Sequence, residues 1–336
     1  VDLIELLKAV VIGIIEGITE WLPISSTGHM ILADEFIQLN VSQEFWEVFL
    51  VVIQLGAILA VFFLFHKKLN PFAPSKSKEE RKRTWVLWLK VVVASIPAAC
   101  IGLLLDDFFT ENFHNAITVA IALIVYGIAF IVVERVKGRQ VTHESLPRPH
   151  ESLGKHSPEA IEARAAEQGE AKLYSALQPT QTEAPAKTKN QSIDEITDVD
   201  QLEFKRAFFI GLFQALAIVP GTSRSGATIL GARILGVSRS AAAEFSFFLA
   251  IPIMFGWSLL KVVKAFVLDS VTVTTTEWGV FVVGIIVAFV VSILAIKFLL
   301  GYIRNHSFEV FGWYRIALGV VVLTFFAVTG QLFIAQ

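Results

Sequence analysis

Cysteine is almost missing from this chain: Cys100 is the single one among 336 residues. One cysteine excludes an intramolecular disulfide, so no covalent staple supports the fold. Charge is sparse as well. Asp, Glu, Lys and Arg make up 17% of the residues, where soluble domains carry about 25%. Apolar side chains reach 54%, and the mean hydropathy is +0.64. That balance excludes an ordinary soluble domain. An excess of one sign is lacking too, but the net charge of −2 says nothing useful about partners, because charge is segregated along the chain; no nucleic-acid partner is expected. The start of the chain also lacks the basic stretch of a cleaved leader, since Asp2, Glu5 and Lys8 are mixed in charge.

What the chain has instead is apolar runs. Six of them, at 46–65, 85–105, 116–133, 245–266, 279–300 and 313–333, match or approach the roughly 20 residues that cross a bilayer. The charges between them are sorted. Lys67, Lys68, Lys76, Lys78, Arg81, Lys82 and Arg83 follow the first run, and Arg135, Lys137 and Arg139 follow the third. Asp106, Asp107 and Glu111, with no Lys or Arg, follow the second. The positive-inside rule puts loop 66–84 and the start of loop 134–206 in the cytoplasm and loop 106–115 outside. Loop 267–277 has no Lys or Arg, whereas Lys297 and Arg304 flank the next turn, so the later runs cross in the opposite sense. The expectation is an all-α, polytopic membrane protein with both termini outside.

Two further apolar segments are broken by polar islands. The first, 1–40, carries Glu16-Gly-Ile-Thr-Glu20-Trp-Leu-Pro-Ile-Ser25-Ser26-Thr27-Gly28-His29. The second, 207–239, carries Pro220-Gly221-Thr-Ser223-Arg224-Ser225-Gly226-Ala-Thr228. Broken backbone at membrane depth is tolerated where protein or a wet cavity covers it, so each segment reads as a re-entrant hairpin. Gly13-Ile-Ile-Glu16 aligns with Gly211-Leu-Phe-Gln214, and Leu22-Pro23 with Val219-Pro220. The chain therefore reads as an inverted-topology repeat, 1–135 and 204–336, each a hairpin plus three spans. Such repeats bring their discontinuous helices together near the midplane. Between them, 136–203 reads as a cytoplasmic insertion, disordered from 138 onward, since its Pro, Glu, Gln, Lys and Thr bury too little apolar surface to offset chain entropy. Residues 159–168 suit a short helix. His143, His150 and His156 read as solvated, because neither cysteine nor regular ligand spacing accompanies them.

Glu16 and Glu20 stand four residues apart, on one helical face. Two carboxylates so placed can hold Mg²⁺ or Ca²⁺, or one can serve as general base beside a like-charged neighbour. Ser25, Ser26 and Thr27 follow Pro23 where a returning helix would begin. One of the three is expected to cap it; the others, with Gly28 and His29, form a helix-start anion site suited to phosphate. Ser26 or His29 is a candidate nucleophile. Arg224, costly amid apolar residues, needs an anion, either Glu20 or Glu16 in an ion pair or a diphosphate. Ser223, Ser225 and Thr228 would share a diphosphate with it, and Gly221 and Gly226 allow close backbone approach. Acids, a nucleophile and a cation at membrane depth imply phosphoryl chemistry on a lipid.

These two islands resemble the E-G-x-T-E-(F/W)-L-P-(V/I)-S-S-T-G-H and P-G-x-S-R-S-x-x-T signatures of the undecaprenyl-diphosphate phosphatase family, the bacitracin-resistance proteins. The resemblance covers about 1–135 and 204–336. It implies an enzyme of the bacterial plasma membrane that removes the terminal phosphate of undecaprenyl diphosphate at the outer face and recycles the carrier lipid for cell-wall synthesis. It further implies that Glu16 and Glu20 fill the paired acidic positions, Ser26 and His29 the catalytic ones and Arg224 the diphosphate-binding one, with a divalent cation required. Membrane lipids are the expected surroundings, there is room for a homodimer, and partners of 138–203 stay open. That insertion looks long for the family but leaves both motifs intact. A polyprenyl-phosphate transporter or flippase is the alternative, because inverted repeats with hairpins are transporter architecture. A phosphatidic-acid-type phosphatase is excluded by Leu230, where that pattern needs a second histidine. Whether Ser26, His29 or water attacks phosphorus stays open.

Overall fold

The computed structural model describes residues 2–113, 115–144, 195–269 and 271–330. These fold into ten α-helices: α1 (Leu3–Thr19), α2 (Ser26–Asp34), α3 (Gln43–Leu69), α4 (Lys78–Phe113), α5 (Ala116–Glu144), α6 (Phe204–Ala215), α7 (Arg224–Ile234), α8 (Arg239–Val263), α9 (Thr275–Ile303) and α10 (Glu309–Thr329). Among the described residues there is no strand, only the isolated bridge between Ile196 and Val237. Val1–Arg135 and Glu195–Gln336 form one compact unit, and Val136–Asp194 a second. The helix expected at 159–168 and the histidines His150 and His156 lie outside the described residues, as does the side chain of His143.

Six helices, α3, α4, α5, α8 with its π-helical extension (Lys264–Leu268), α9 and α10, are long and apolar enough to cross a membrane. Only 33–44% of each apolar window is buried within the protein, so most of every window faces outward. Leu104, Val328, Leu103, Phe63 and Phe298 are among the large side chains left exposed there. In water such faces would be an aggregation liability; in lipid they need no partner. The protein is a multi-pass membrane protein.

α1 and α2 are shorter, and so are α6 and α7. The chain breaks between them at Pro23 and Pro220, with the 3₁₀ turn Leu216–Ile218 completing the second break. Each pair packs against spans from the other half of the chain: α1 lies along α9, and α6 lies along α4. The spans interleave in the same way, with α3 on α9 and on α8, and α4 on α8. α5 and α10 approach at Gly127 and Gly312. A Cβ built on either glycine would stand 2.7 Å from the carbonyl oxygen of the other, which lets the two backbones touch as small residues do between membrane helices. The largest apolar core joins Trp21, Phe130, Phe245, Phe247, Phe248 and Phe308, bringing the first break, the third span and α8 together.

Residues 195–203, expected to end a disordered loop, are ordered. The Ile196 amide donates to Gly236 O at 3.0 Å and the Ser238 amide to Ile196 O at 2.8 Å, and Val199 and Leu202 are buried in the main core. Arg233 ties the segment down through Glu195 and reaches Glu134 at 2.9 Å, which Arg239 holds from the other side at 2.7 Å. Composition alone overlooked this because the anchoring groups, Val237 and Arg233, lie beyond the segment itself.

Candidate active site

The two breaks meet, and helix ends supply the functional groups. At the C-terminal end of α1, Glu16 and Glu20 are both buried, one turn apart, with the Glu20 amide donating to Glu16 O at 3.0 Å. The chain then turns through Trp21–Ile24, and Ser25 caps α2 by accepting from the Gly28 amide. On the opposing break, Ser223 caps α7 in the same manner, accepting from the Gly226 amide. Both serines hold positive φ, 74° at Ser25 and 69° at Ser223. They are the only non-glycine residues with positive φ among the described residues, a conformation that costs an L-residue about 1–3 kcal/mol. Matching strain at matching positions aims both helix starts at one place.

Glu20 lies at the centre. Its Oε1 accepts from Arg224, Nη2 at 3.1 Å and Nε at 3.3 Å, and its Oε2 accepts from the Ser26 hydroxyl at 3.0 Å. Arg224 is further held by Ser246 O at 2.9 Å and lies over the Trp21 ring at 5.8 Å. The ion pair that sequence reasoning weighed against a diphosphate is therefore present. Both partners are nearly buried, with side chains 9–11% exposed, so the attraction is little screened by solvent. An anion arriving at Arg224 has to compete with Glu20.

His29 is engaged through both ring nitrogens. Nδ1 stands 2.7 Å from the Ser25 carbonyl, which can only accept, so the proton lies on Nδ1. In the neutral ring Nε2 then accepts, from the Tyr314 hydroxyl at 2.7 Å, with the two rings nearly parallel at 7°.

Several residues expected to touch a diphosphate are turned into the protein. The Ser25 hydroxyl is a cap and the residue is fully buried. Ser225 donates to Glu20 O at 3.0 Å and lies 3.3 Å from Leu22 O, tying one turn to the other. Thr228 is fully buried, donates to Arg224 O at 2.9 Å and is paired with the Ser246 hydroxyl. Gly28 and Gly226 give their amides to the caps. Gly221, at φ 87°, lets the turn lie against Val119, whose carbonyl would stand 2.5 Å from any Cβ placed there. The geometry assigns these residues to building the site. Ser26, Thr27, His29, Ser223 and Arg224 are the partly accessible members.

Sequence reasoning missed Arg315 and Tyr314, both on α10. Arg315 is fully buried and donates to carbonyls of both turns: Pro23 at 3.3 Å, Gly221 at 2.9 Å and Thr222 at 2.9 Å. Its guanidinium also lies over the Tyr126 ring at 5.5 Å. The signal was available: an arginine inside an apolar run is expensive and points to function, yet the run at 313–333 reads as unbroken. Among the described residues, the buried side-chain atoms without a hydrogen-bond partner belong to Glu16, Trp21, Gln214 and Arg315. All four lie on the two breaks or hold them together.

The chain is similar to known proteins over most of its length. The family sequence pattern described as "Bacitracin resistance protein BacA" matches residues 9–154 and 176–321. A protein of Enterococcus faecalis (strain ATCC 700802 / V583) named undecaprenyl-diphosphatase is 48% identical over 319 residues, covering 95% of this chain and 96% of its own. Relatives of the same name are 47% identical in Streptococcus thermophilus (strain ATCC BAA-250 / LMG 18311) and 46% in Desulfitobacterium hafniense (strain DSM 10664 / DCB-2). Each aligns over 327 residues and 97% of this chain, covering 95% and 97% of its own length. These relatives match the chain in length, so the insertion that looks long against the family signatures is not peculiar to it.

Proposed function

This chain belongs to the BacA family of bacitracin resistance proteins, and from that premise we infer that it is an integral membrane phosphatase hydrolysing undecaprenyl diphosphate to undecaprenyl phosphate and phosphate. Water contributes its oxygen to the released phosphate, and the bond between the terminal phosphorus and the bridging oxygen breaks. Peptidoglycan synthesis regains its carrier lipid, and resistance to bacitracin follows. The relatives carry the name of a hydrolase, which speaks against the transporter alternative.

One observation supports the site above all: a single carboxylate, Glu20, accepts from the Ser26 hydroxyl at 3.0 Å and from Arg224 at 3.1 Å. A hydroxyl, a base and a phosphate-binding cation thus share one group. In this reading the diphosphate takes Arg224 from Glu20, and the freed carboxylate removes the proton from Ser26 or from a water beside it. Arg224 and the amides at the start of α7 stabilise charge on the transferring phosphoryl oxygens. The engagement of both His29 nitrogens argues for a supporting part, not for attack on phosphorus. The matched breaks, each packed on spans of the other half, support the inverted-repeat reading with re-entrant hairpins. Basic loops at 66–84 and after 133 support an outward-facing site in the plasma membrane with both termini outside.

Glu16 and Glu20 fit a divalent cation. Glu16 Oε1 is buried without a partner, and a hard cation such as Mg²⁺ commonly takes one or two carboxylates with phosphate oxygens completing its shell. Among the described residues no cluster of three or more His, Cys, Asp or Glu side chains is suited to a metal, so a cation held here would need substrate oxygens to complete its shell. When bound, Mg²⁺ or Ca²⁺ neutralises phosphate charge as a Lewis acid.

The test is phosphate release from undecaprenyl diphosphate by purified protein in detergent. Glu20→Ala and Arg224→Ala should each lower turnover at least about a hundredfold, the scale of losing a group that acts in the transition state. Wild-type turnover in either variant would sink the site assignment. An acid-stable phosphoenzyme lost in Ser26→Ala would identify serine as nucleophile.

A further inference from the structure

α10 contributes Tyr314 as well as Arg315, and the proposed reaction does not by itself account for a tyrosine there. Tyr314 is about half exposed, at 47%, on a helix that also exposes Val310, Trp313, Val320, Val321 and Val328. Its hydroxyl is not used to anchor α10 to another backbone; it reaches His29 Nε2 at 2.7 Å. The rings lie nearly parallel, with centroids 5.6 Å apart. On the other side of the imidazole, Nδ1 faces the Ser25 carbonyl at 2.7 Å. Ser25 is itself immobilised, being fully buried and capping α2 at φ 74°. The carbonyl therefore makes a fixed demand for the Nδ1 proton, and the phenol supplies a donor to the nitrogen that remains. Such paired contacts determine which nitrogen of a histidine carries the proton.

We propose that Tyr314 is a positioning residue for His29, holding the imidazole in the Nδ1-protonated tautomer and orientation with Nε2 kept as a hydrogen-bond acceptor. Two consequences follow. With Nε2 taken by the phenol, its lone pair does not attack phosphorus while the contact stands. A proton taken up at Nε2 reaches it by way of the Tyr314 hydroxyl, or after that hydroxyl turns aside, so Tyr314 controls entry to the histidine from the exposed side. Arg315, the next residue along, holds both turns through Pro23, Gly221 and Thr222, so one helix sets the position of the backbone and of the imidazole together. The functional part of the proposal rests on His29 belonging to the phosphatase site; the tautomer itself does not.

The test combines turnover with ¹⁵N NMR of histidine-labelled protein in detergent, the His29 signals being identified by their loss in His29→Gln. In the wild type, His29 should show a protonated Nδ1 and an accepting Nε2. Tyr314→Phe keeps the ring and removes the hydroxyl. It should shift the Nε2 resonance and lower kcat about tenfold, the worth of one hydrogen bond between uncharged groups. KM should stay within about twofold and the melting temperature should not move, since a partly exposed hydroxyl contributes little to stability. A variant that merely loosened α10 would lower the melting temperature and leave the nitrogen shifts in place. Unchanged His29 shifts in Tyr314→Phe would overturn the proposal, as would full kcat. Wild-type turnover in His29→Gln would overturn the role of His29 in the site, and the NMR readout separates that failure from failure of the contact.

Discussion

Arg315 makes its polar contacts with main-chain oxygen alone. Among the described residues it forms no ion pair, and its three acceptors, Pro23, Gly221 and Thr222, all belong to the turns that frame the site. Removing the guanidinium would leave buried carbonyls without a donor, at about 1–3 kcal/mol for each such group. Arg315→Met should therefore lower the melting temperature in detergent by several degrees and abolish phosphate release, both turns being loosened at once. Arg315→Lys should restore part of the stability and less of the turnover, because an ammonium donates three bonds but lacks the planar fork. Equal melting curves for wild type and Arg315→Met would contradict the clamp. The reason Arg315 escaped sequence reasoning is arithmetical: past Glu309 at its start, α10 carries Arg315 as its one charge, and a helix otherwise so apolar still reads as a span. Glu16, Glu20, Ser26 and Arg224 were legible because they come in clusters that no averaging hides. Ser25, Ser225 and Thr228 were legible as important but not in their part, since a hydroxyl that caps a helix and one that binds phosphate look alike in a string of letters.

At the scale of elements, the breaks are where sequence and structure agree most closely. One helix of each pair stops shortly before Pro23 or Pro220, at Thr19 and at Ala215, and α2 and α7 begin within a few residues after them. What the residues could not announce is the backbone conformation of the caps. Ser25 sits at φ 74° and ψ 104°, outside the left-handed helical region as well as the extended one, and nothing in Pro-Ile-Ser-Ser requires it. The strain gives an ordered prediction. Ser25→Ala loses the cap, about 1 kcal/mol, and keeps the strain. Ser25→Gly also loses the cap but adopts positive φ freely. Thermal unfolding should therefore rank wild type and Ser25→Gly close together, with Ser25→Ala clearly below; the reverse order would mean that the turn relaxes without its serine. The segment at 195–203 shows the limit of composition in the other direction. Most of its residues are polar, and its order comes from Val199 and Leu202 entering the main core and from anchors outside it, Val237 and Arg233.

For the whole molecule, charge decides what the site still needs. Glu20 is already paired with Arg224, and Glu16 lies one turn away on the same helix, so the cation of the second island is engaged before any substrate enters. A diphosphate adds negative charge where water is scarce, and burying it uncompensated is costly. A divalent cation entering with the substrate removes that cost. Chelation with EDTA should abolish phosphate release, and Mg²⁺ or Ca²⁺ should restore it; turnover that persists after exhaustive chelation would remove the cation from the mechanism. Neither polar island is expected to suffice alone, since the acids stand on one and Arg224 on the other.

The joint between the two turns has one more implication. Ser225 and Arg315 bind carbonyls of Glu20, Leu22, Pro23, Gly221 and Thr222, and a carbonyl is the same whatever side chain hangs from its residue. The joint therefore has a reading side and a silent side. Substitution at Leu22 leaves its carbonyl in place and is limited mainly by the volume available, whereas substitution at Ser225 or Arg315 removes the donor that every variant of those turns still requires. A lineage can reshape what surrounds the lipid headgroup by altering the silent side, one residue at a time, without separating the parts that do the work.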